Sequence, residues 1–135
     1  MNKERVLIVE DDADIREGIR ILLESENYKV IEAENGRKGL ELLDENIDLV
    51  ILDIMMPGID GYEVCKQLRL KTKKPIIFIS ALSEEENQLM VFELGADDYV
   101  MKPFQPSILY AKVVAMIKRD QKQEEHLLVF WTCST

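Results

Sequence analysis

The sequence is short of the residues that hold together secreted, zinc-binding or membrane proteins. Its 135 residues include two cysteines, Cys65 and Cys133, and one histidine, His126, too few for a disulfide framework or a cluster of zinc ligands. No apolar run approaches the ~20 residues that span a bilayer, and the N-terminus has no signal-peptide pattern. We therefore expect a cytoplasmic protein that makes no use of a membrane and keeps both thiols reduced.

Basic residues are also in the minority. The chain has 17 lysines and arginines against 26 aspartates and glutamates, a net charge of −9. Nucleic-acid phosphates repel so acidic a chain, and we expect no direct nucleic-acid binding by this domain. The length is sufficient for one domain with a single hydrophobic core.

Short apolar runs alternate with amphipathic stretches along the chain. The runs that predict strands are residues 6–9, 28–33, 49–52, 75–79 and 99–101. Helices are predicted after residues 11–14, after Gly36, over 61–70, from 84 to a stop at Gly95, and from 106 to about 119. Five such units in series predict an α/β fold, a doubly wound, flavodoxin-like parallel sheet of five strands in the order 2-1-3-4-5 with five helices.

The end of the chain has a different character. Residues 120–125 are polar and linker-like, whereas 126–131 are largely apolar. So short a segment cannot form a core of its own, and we divide the chain into a domain over 1–119 and a tail over 120–135. Two interpretations of the tail stay open. It is the remnant of an output domain missing from this chain, or a strand or helix that packs on this domain or on a neighbouring chain.

Polar side chains follow the predicted strands where each strand ends. Glu10, Asp11 and Asp12 follow the first strand, Asp53 the third, Ser80 the fourth and Lys102 the fifth. Ligands of an open parallel sheet bind at this edge, near the point where the strand order reverses. We therefore expect these side chains to converge into one site.

The expected site has the composition of a phosphoryl-transfer centre. Asp11 and Asp53 could supply carboxylates to Mg²⁺, with Glu10 acting directly or through water. A carboxylate held in this way can attack phosphorus and form an aspartyl-phosphate. Lys102 and the metal would neutralise the transferred group, and Ser80 would donate a hydrogen bond to it.

Each of these residues, taken alone, has a simpler explanation. The acidic triplet is typical of a helix cap, Asp53 of a strand end that caps the next turn, and Ser80 of a helix entry. Lys102 could be an ordinary surface lysine. These explanations are independent of one another, and they do not account for complementary charges at all the strand ends together.

Four segments resemble the response-regulator receiver family. They are residues 7–12 (LIVEDD), 52–61 (LDIMMPGIDG), 79–81 (ISA) and 99–104 (YVMKPF), within a similarity that extends over about 3–119. Residues 95–99 (GADDY) and 102–104 (KPF) are most similar to the OmpR-like subfamily of winged-helix transcription regulators.

The resemblance implies a role for each carboxylate of the expected site. Asp53 would be the phosphorylation site. Glu10 and Asp11 would be the acidic pair that holds Mg²⁺ together with Asp53, and the backbone carbonyl of Met55 would be a further metal ligand.

It also implies a switch. Ser80 would be the hydroxyl that moves toward the phosphoryl group, and Tyr99 the aromatic residue that turns inward as Ser80 moves away. Lys102 would pair with the phosphoryl oxygens, and its peptide bond to Pro103 would be cis.

At the level of the whole protein, the resemblance implies a phosphorylation-activated switch of a two-component system. A sensor histidine kinase would supply the phosphoryl group, and the switch would control transcription through an output domain. The chain would be a phosphoacceptor that catalyses its own phosphorylation and dephosphorylation, and not an enzyme acting on other substrates.

The subfamily also implies a homodimer through the fourth helix, fifth strand and fifth helix. Asp98, Lys112 and Arg119 stand where that interface has charged partners. Gln88 and Ile108 stand where members commonly carry an arginine and a glutamate, so one ion pair of the family dimer cannot form in this chain.

Two alternatives come from other functional classes. Phosphatases and hydrolases that form an aspartyl-phosphate on the same fold usually have a second aspartate two residues after the nucleophile, where this chain has Met55. A degenerate receiver that only binds proteins would not need the complete acidic and basic set.

Met55 and Leu82 lie beside the expected path of a water molecule that would attack the phosphoryl group. Neither side chain can orient this water by hydrogen bonds, which predicts slow self-dephosphorylation.

Overall fold

Five strands alternate with five helices in the computed structural model, which describes the backbone of residues 4–55 and 61–133 and the side chains of 4–55 and 61–122. The elements are β1 (Arg5–Val9), α1 (Ala13–Glu24), β2 (Lys29–Ala33), α2 (Gly36–Leu42), β3 (Leu49–Asp53), α3 (Gly61–Lys71), β4 (Ile76–Ser80), α4 (Glu84–Leu94), β5 (Asp98–Met101) and α5 (Pro106–Cys133). The signature residues 56–60 lie outside the described ranges.

The strands form one parallel sheet in the order β2-β1-β3-β4-β5. The predicted flavodoxin-like α/β fold is confirmed. The chain adds β2 on one side of β1 and β3 on the other, so the direction of winding reverses between β1 and β3. In folds of this kind the crevice at that reversal is where ligands bind.

Two hydrophobic layers cover the sheet. Val6 and Ile8 of β1 face the layer formed with α1 and α5, whereas Leu7 and Val9 face the layer formed with α3 and α4. Because both faces of the sheet are buried, each central strand reads as a continuous apolar run and not as an alternating one. Cys65 of α3 is a free, fully buried thiol, and burial raises its pKa to about 11.

Capping residues define where several helices begin and end. Asp12 caps α1 by accepting hydrogen bonds from Asp14 N at 2.9 Å and Ile15 N at 3.2 Å, so the helix-cap explanation is correct for this member of the acidic triplet. Helix α4 stops at Gly95, whose φ of 70° lies in the left-handed region, as predicted. Gly36, expected to precede its helix, is the first residue of α2.

Gly61 brings the start of α3 against the backbone that follows β3. A Cβ built at this position would lie 2.2 Å from the carbonyl oxygen of Ile54, a distance that no side chain tolerates. Ile54 is the residue after Asp53, so the absence of a side chain at Gly61 lets α3 pack directly behind the crevice.

Helix α5 is longer than predicted. It continues past residue 119 to Cys133, so the polar segment 120–125 is helical. The ion pair between Lys74 and Asp120 at 3.0 Å and the hydrogen bond from Gln121 to Glu4 at 3.0 Å tie this part of α5 to the domain. The division into a domain and a tail stays a prediction.

Within the described ranges, neither α5 nor any other helix is long and apolar enough to cross a membrane.

Candidate functional site

The buried polar side chains gather at the carboxyl edge of the sheet. Four polar side chains among the described residues are buried, namely Glu10, Asp53, Ser80 and Asn87. The first three come directly from the ends of β1, β3 and β4. Parallel pairing of Val9 with Leu52 makes the next residue of each strand, Glu10 and Asp53, neighbours across the crevice.

Three carboxylates meet there. Glu10, Asp11 and Asp53 each place a carboxylate oxygen within 4.8 Å of the other two. Glu10 and Asp53 are 0% and 1% exposed, whereas Asp11 is exposed. The structure therefore brings together the three predicted metal-binding side chains, with Asp11 on the solvent side.

The arrangement fits a hard divalent cation. Glu10 Oε1 is buried and accepts no hydrogen bond from any residue that the structure describes. Carboxylate oxygens are the ligands that Mg²⁺ prefers, and this one faces the carboxylates of Asp11 and Asp53. Met55 N–H donates to Asp53 Oδ1 at 2.9 Å; that its carbonyl is a metal ligand stays a prediction.

Lys102 brings a positive charge to the cluster. Its Nζ donates to Asp53 Oδ2 at 2.9 Å and lies 3.5 Å from Glu10 Oε1. Burial alone would lower the pKa of Lys102, but the hydrogen bond and charge of Asp53, with the charge of Glu10, raise it. Lys102 is therefore a protonated cation at neutral pH, and its bond to Pro103 is cis, as predicted.

The surroundings of Glu10 change the protonation of its carboxyl group. Burial, followed by the hydrogen bond with Asp53 and its charge, raises the pKa of Glu10 to about 8. The backbone N–H of Asp12, which donates to Glu10 Oε2 at 3.3 Å, acts in the opposite direction. Without a bound cation, Glu10 therefore carries a proton near neutral pH.

The predicted switch hydroxyl, Ser80, is held by the loop that follows β4. Its Oγ accepts a hydrogen bond from Leu82 N at 2.9 Å. Asn87 of α4 in turn donates from Nδ2 to Leu82 O at 3.3 Å, and its own Oδ1 is buried without a hydrogen-bond partner among the described residues. Ser80 is thus at the crevice, with its hydroxyl engaged by the loop.

Tyr99, the other predicted switch residue, lies on β5 and contacts residues of β4, α4 and α5. Its ring stacks on Phe78 with centroids 5.9 Å apart, and Lys112 Nζ lies 5.1 Å from the ring centroid. The hydroxyl donates to Glu84 Oε1 at 3.1 Å, an exposed contact at the start of α4. The movement of Ser80 and Tyr99 stays a prediction.

The charged residues predicted for a dimer interface have partners within the chain. Lys112 pairs with Asp98 at 3.1 Å and donates to Tyr99 O at 2.8 Å. Arg119 pairs with Asp97 at 3.0 Å. Ion pairs between two chains through these residues would either replace these internal ion pairs or form in addition to them.

Two polar residues near the site were missed by sequence reasoning. Arg16 of α1 donates from Nη1 to the backbone carbonyl of Glu10 at 2.7 Å, and Asn87 supports the loop at Ser80. Arg16 precedes the buried Ile19 by three residues, and Asn87 precedes the buried Met90 by three, so helical spacing places both beside a side chain that packs on the sheet. Spacing alone gives no sign of the atoms that they contact.

The chain matches the response regulator receiver domain family over residues 6–114. It is 47% identical to the transcriptional regulatory protein ResD of Bacillus subtilis (strain 168), over 87% of this chain and 50% of ResD. It is 45% identical to the probable transcriptional regulator ycf27 of Guillardia theta, over 89% and 48%. The chain thus spans about half the length of these curated relatives.

Among solved structures, the chain is similar to the response regulator DrrB of Thermotoga maritima, an OmpR/PhoB homologue. The TM-score is 0.80 at 33% identity, covering 88% of this chain and 54% of DrrB. It is also similar to the receiver domain of the Francisella response regulator 1452, with a TM-score of 0.81 at 33% identity, covering 87% and 99%.

The raised pKa of Glu10 predicts a pH-dependent stability. The folded protein binds the Glu10 proton more tightly than the unfolded chain, where glutamate has its ordinary value of 4.5. Metal-free stability should therefore fall as pH rises from about 4.5 to 8. Glu10→Gln lacks this loss, so its Tm at pH 8.5 should exceed that of the wild type by about 3–6 °C, the shift that ~1 kcal/mol gives in a domain of this size.

Thermal melts in EDTA from pH 5 to 8.5 measure the effect. The two proteins should converge near pH 5, and Glu41→Gln, an exposed glutamate on α2, is the control with the same change of charge. A constant difference between Glu10→Gln and wild type across this range would contradict the assignment.

Proposed function

The chain belongs to the response-regulator receiver family, and on that basis we propose that it is a phosphorylation-activated switch that accepts a phosphoryl group on Asp53. A receiver domain implies a cognate histidine kinase as its phosphodonor. The observation that carries the proposal is the burial of Asp53 beside Glu10 and Asp11, with Lys102 Nζ 2.9 Å from Oδ2.

The contacts of Asp53 suit a nucleophile. Met55 N–H holds Oδ1 and Lys102 holds Oδ2, so the carboxylate has a fixed orientation before a donor arrives. In the transfer, a bond forms between an Asp53 oxygen and phosphorus while the bond from phosphorus to the donor nitrogen breaks. Lys102 is close enough to exchange its contact with Asp53 for one with a phosphoryl oxygen.

Mg²⁺ is the cofactor that we propose for this step. Glu10, Asp11 and Asp53 would hold it, and when bound it would offset the negative charge that the phosphoryl group adds to the cluster. Bound Mg²⁺ would also displace the proton that Glu10 carries in its absence, and the added positive charge would ease the approach of an anionic donor.

An aspartyl-phosphate hydrolase is the weaker candidate. Turnover of the acyl phosphate by such an enzyme calls for a group that activates water close to the nucleophile. Met55 occupies the position two residues after Asp53, and its exposed side chain cannot accept or donate a proton. A stable phosphorylated state is the better match.

The surface beside Lys102 supports a protein donor. An apolar groove opens there between α1 and the loop before α5, lined by Ile15, Ile19, Leu22, Pro103 and Phe104. A histidine kinase that brings its phosphorylated side chain to Asp53 has to cover the surface around Lys102. The groove lies in that contact zone and offers it an apolar patch.

We propose control of transcription as the output and the cytoplasm as the location. ResD and ycf27 are transcriptional regulators by name, and they are about twice as long as this chain. An output domain outside this chain would make the contact with DNA, in keeping with the net charge of −9.

We also propose that phosphorylation promotes a dimer through α4, β5 and α5. This surface exposes large apolar side chains, Leu89 and Phe92 on α4, Met101 on β5 and Ile108 on α5. Phe92 is 89% exposed. Exposed apolar side chains on three adjoining elements are typical of a surface that binds another protein.

The proposed dimer interface can be tested with one variant inside the interface and one outside it. After treatment with acetyl phosphate and Mg²⁺, light scattering should show a doubled mass for the wild type and the monomer mass for Phe92→Ser. Leu70→Ser is the matched control because Leu70, on α3, is 88% exposed and lies outside the proposed interface. Equal dimerisation of wild type and Phe92→Ser would contradict the interface.

The phosphorylation site is tested by Asp53→Asn. With acetyl phosphate and Mg²⁺, the intact mass of the wild type should rise by one phosphoryl group, and that of Asp53→Asn should not change. Asp14→Asn, an exposed aspartate on α1, should behave as wild type. Mass gain by a folded Asp53→Asn protein would contradict the assignment.

The lifetime of the phosphorylated form is predicted to be long, because Met55 and Leu82 cannot orient water. Met55→Asn or Leu82→Glu should shorten the half-life by about 10-fold, a modest part of the ~10²–10⁴-fold that a positioned acid or base contributes. Phosphate release after removal of the donor measures it, with Leu70→Glu as control. An unchanged half-life in both variants would refute the explanation.

A further inference from the structure

The backbone of Glu10 is fixed on both sides, although β1 ends one residue earlier. Glu10 N–H donates to Ala33 O of β2 at 3.0 Å. The carbonyl oxygen of Glu10 accepts from Arg16 Nη1 at 2.7 Å. Its carboxylate also accepts from Asp12 N–H at 3.3 Å, so the turn from 10 to 12 is held by hydrogen bonds at both of its ends.

Arg16 joins three elements in this contact. It lies on α1, binds the residue that follows β1, and pairs through Nε with Glu32 Oε1 of β2 at 3.3 Å. Its side chain is 18% exposed, so little water is available to replace it at the Glu10 carbonyl. Two different nitrogens of one planar group make the two contacts, an arrangement that a lysine cannot reproduce.

We propose that Arg16 is a positioning residue for the metal site, with Glu32 holding Arg16 in place. By fixing the carbonyl of Glu10, Arg16 sets the direction in which the carboxylates of Glu10 and Asp11 leave the turn toward Asp53. The inference rests on the proposed binding of Mg²⁺ by these three carboxylates. Residues that orient metal ligands without touching the ion commonly contribute 10–100-fold to metal affinity.

The charge of Arg16 and its positioning role predict opposite changes in Mg²⁺ affinity when Arg16 is removed. Arg16 is a cation close to an acidic cluster, so its removal should strengthen Mg²⁺ binding if simple Coulomb repulsion were its main effect. If Arg16 instead holds the ligand turn, its removal should weaken Mg²⁺ binding. The direction of the change therefore decides between the two roles.

Arg20 provides a matched control on the same helix. It also pairs with Glu32, through Oε2 at 3.5 Å, and with Glu24 at 3.0 Å. Replacing Arg20 by methionine removes the same charge and leaves the Glu10 contact of Arg16 in place. A change in Mg²⁺ affinity that Arg16→Met shows and Arg20→Met does not is then due to the loss of the hydrogen bond to the Glu10 carbonyl.

The experiment is a calorimetric titration of the full chain with MgCl₂. We expect Arg16→Met to bind Mg²⁺ about 10-fold more weakly than wild type and Arg20→Met to stay within about 2-fold. Arg16→Lys should also bind weakly despite its charge, and Glu32→Gln should show a smaller loss in the same direction. The last two variants give the answer if Arg16→Met does not fold.

Phosphorylation by acetyl phosphate gives a second readout. Positioning of a metal ligand should raise the Mg²⁺ concentration for half-maximal rate in Arg16→Met and change the rate at saturating Mg²⁺ by less than about 2-fold. Unchanged or tighter Mg²⁺ binding by the Arg16 variants, with wild type binding and phosphorylating normally, would overturn this inference alone. Wild type that neither binds Mg²⁺ nor gains a phosphoryl group would overturn the proposed function as well.

Discussion

The burial of like charges at one sheet edge is the constraint on which the rest of the structure depends. Glu10 and Asp53 are almost completely shielded from water, and the ion pairs that the described residues offer them come from Lys102. Carboxylates in this position favour anything that brings positive charge, whether a proton on Glu10 or a metal ion. The site is therefore maintained at a cost in stability, and binding a cation removes that cost.

The fold holds the two buried carboxylates together despite this unfavourable contribution to stability. Glu10 and Asp53 cannot move apart because their strands pair in register and are covered on both faces by the two hydrophobic layers. The caps and close contacts of the surrounding helices, such as Asp12 on α1 and Gly61 behind Ile54, fix the loops in the same way. Asp53 is the last residue of β3 and Glu10 directly follows β1, so the pairing of these strands sets the distance between the two carboxylates.

The sequence was sufficient for the sheet and for the residues at its edge. Uninterrupted apolar runs identify strands buried on both faces, and the polar residue that ends each run then falls at the crevice by topology. Contacts between distant side chains leave no such trace. The contact of Arg16 with the Glu10 carbonyl, the support of Leu82 by Asn87, and the pairing of Arg119 with Asp97 all depend on how elements pack. The end of α5 was missed because residues 120–125 are polar, although 121–125 are good helix formers and no glycine or proline interrupts them.

The uninterrupted course of α5 has a mechanical consequence. At ~1.5 Å per residue, the segment from Asp120 to Cys133 is a rod roughly 20 Å long that continues a helix packed on the sheet. A tilt of about 10° at its base would displace the far end by roughly 3–4 Å. The rod thus has the geometry of a lever arm, in which a small change of angle at the base becomes a displacement of several ångströms at the far end.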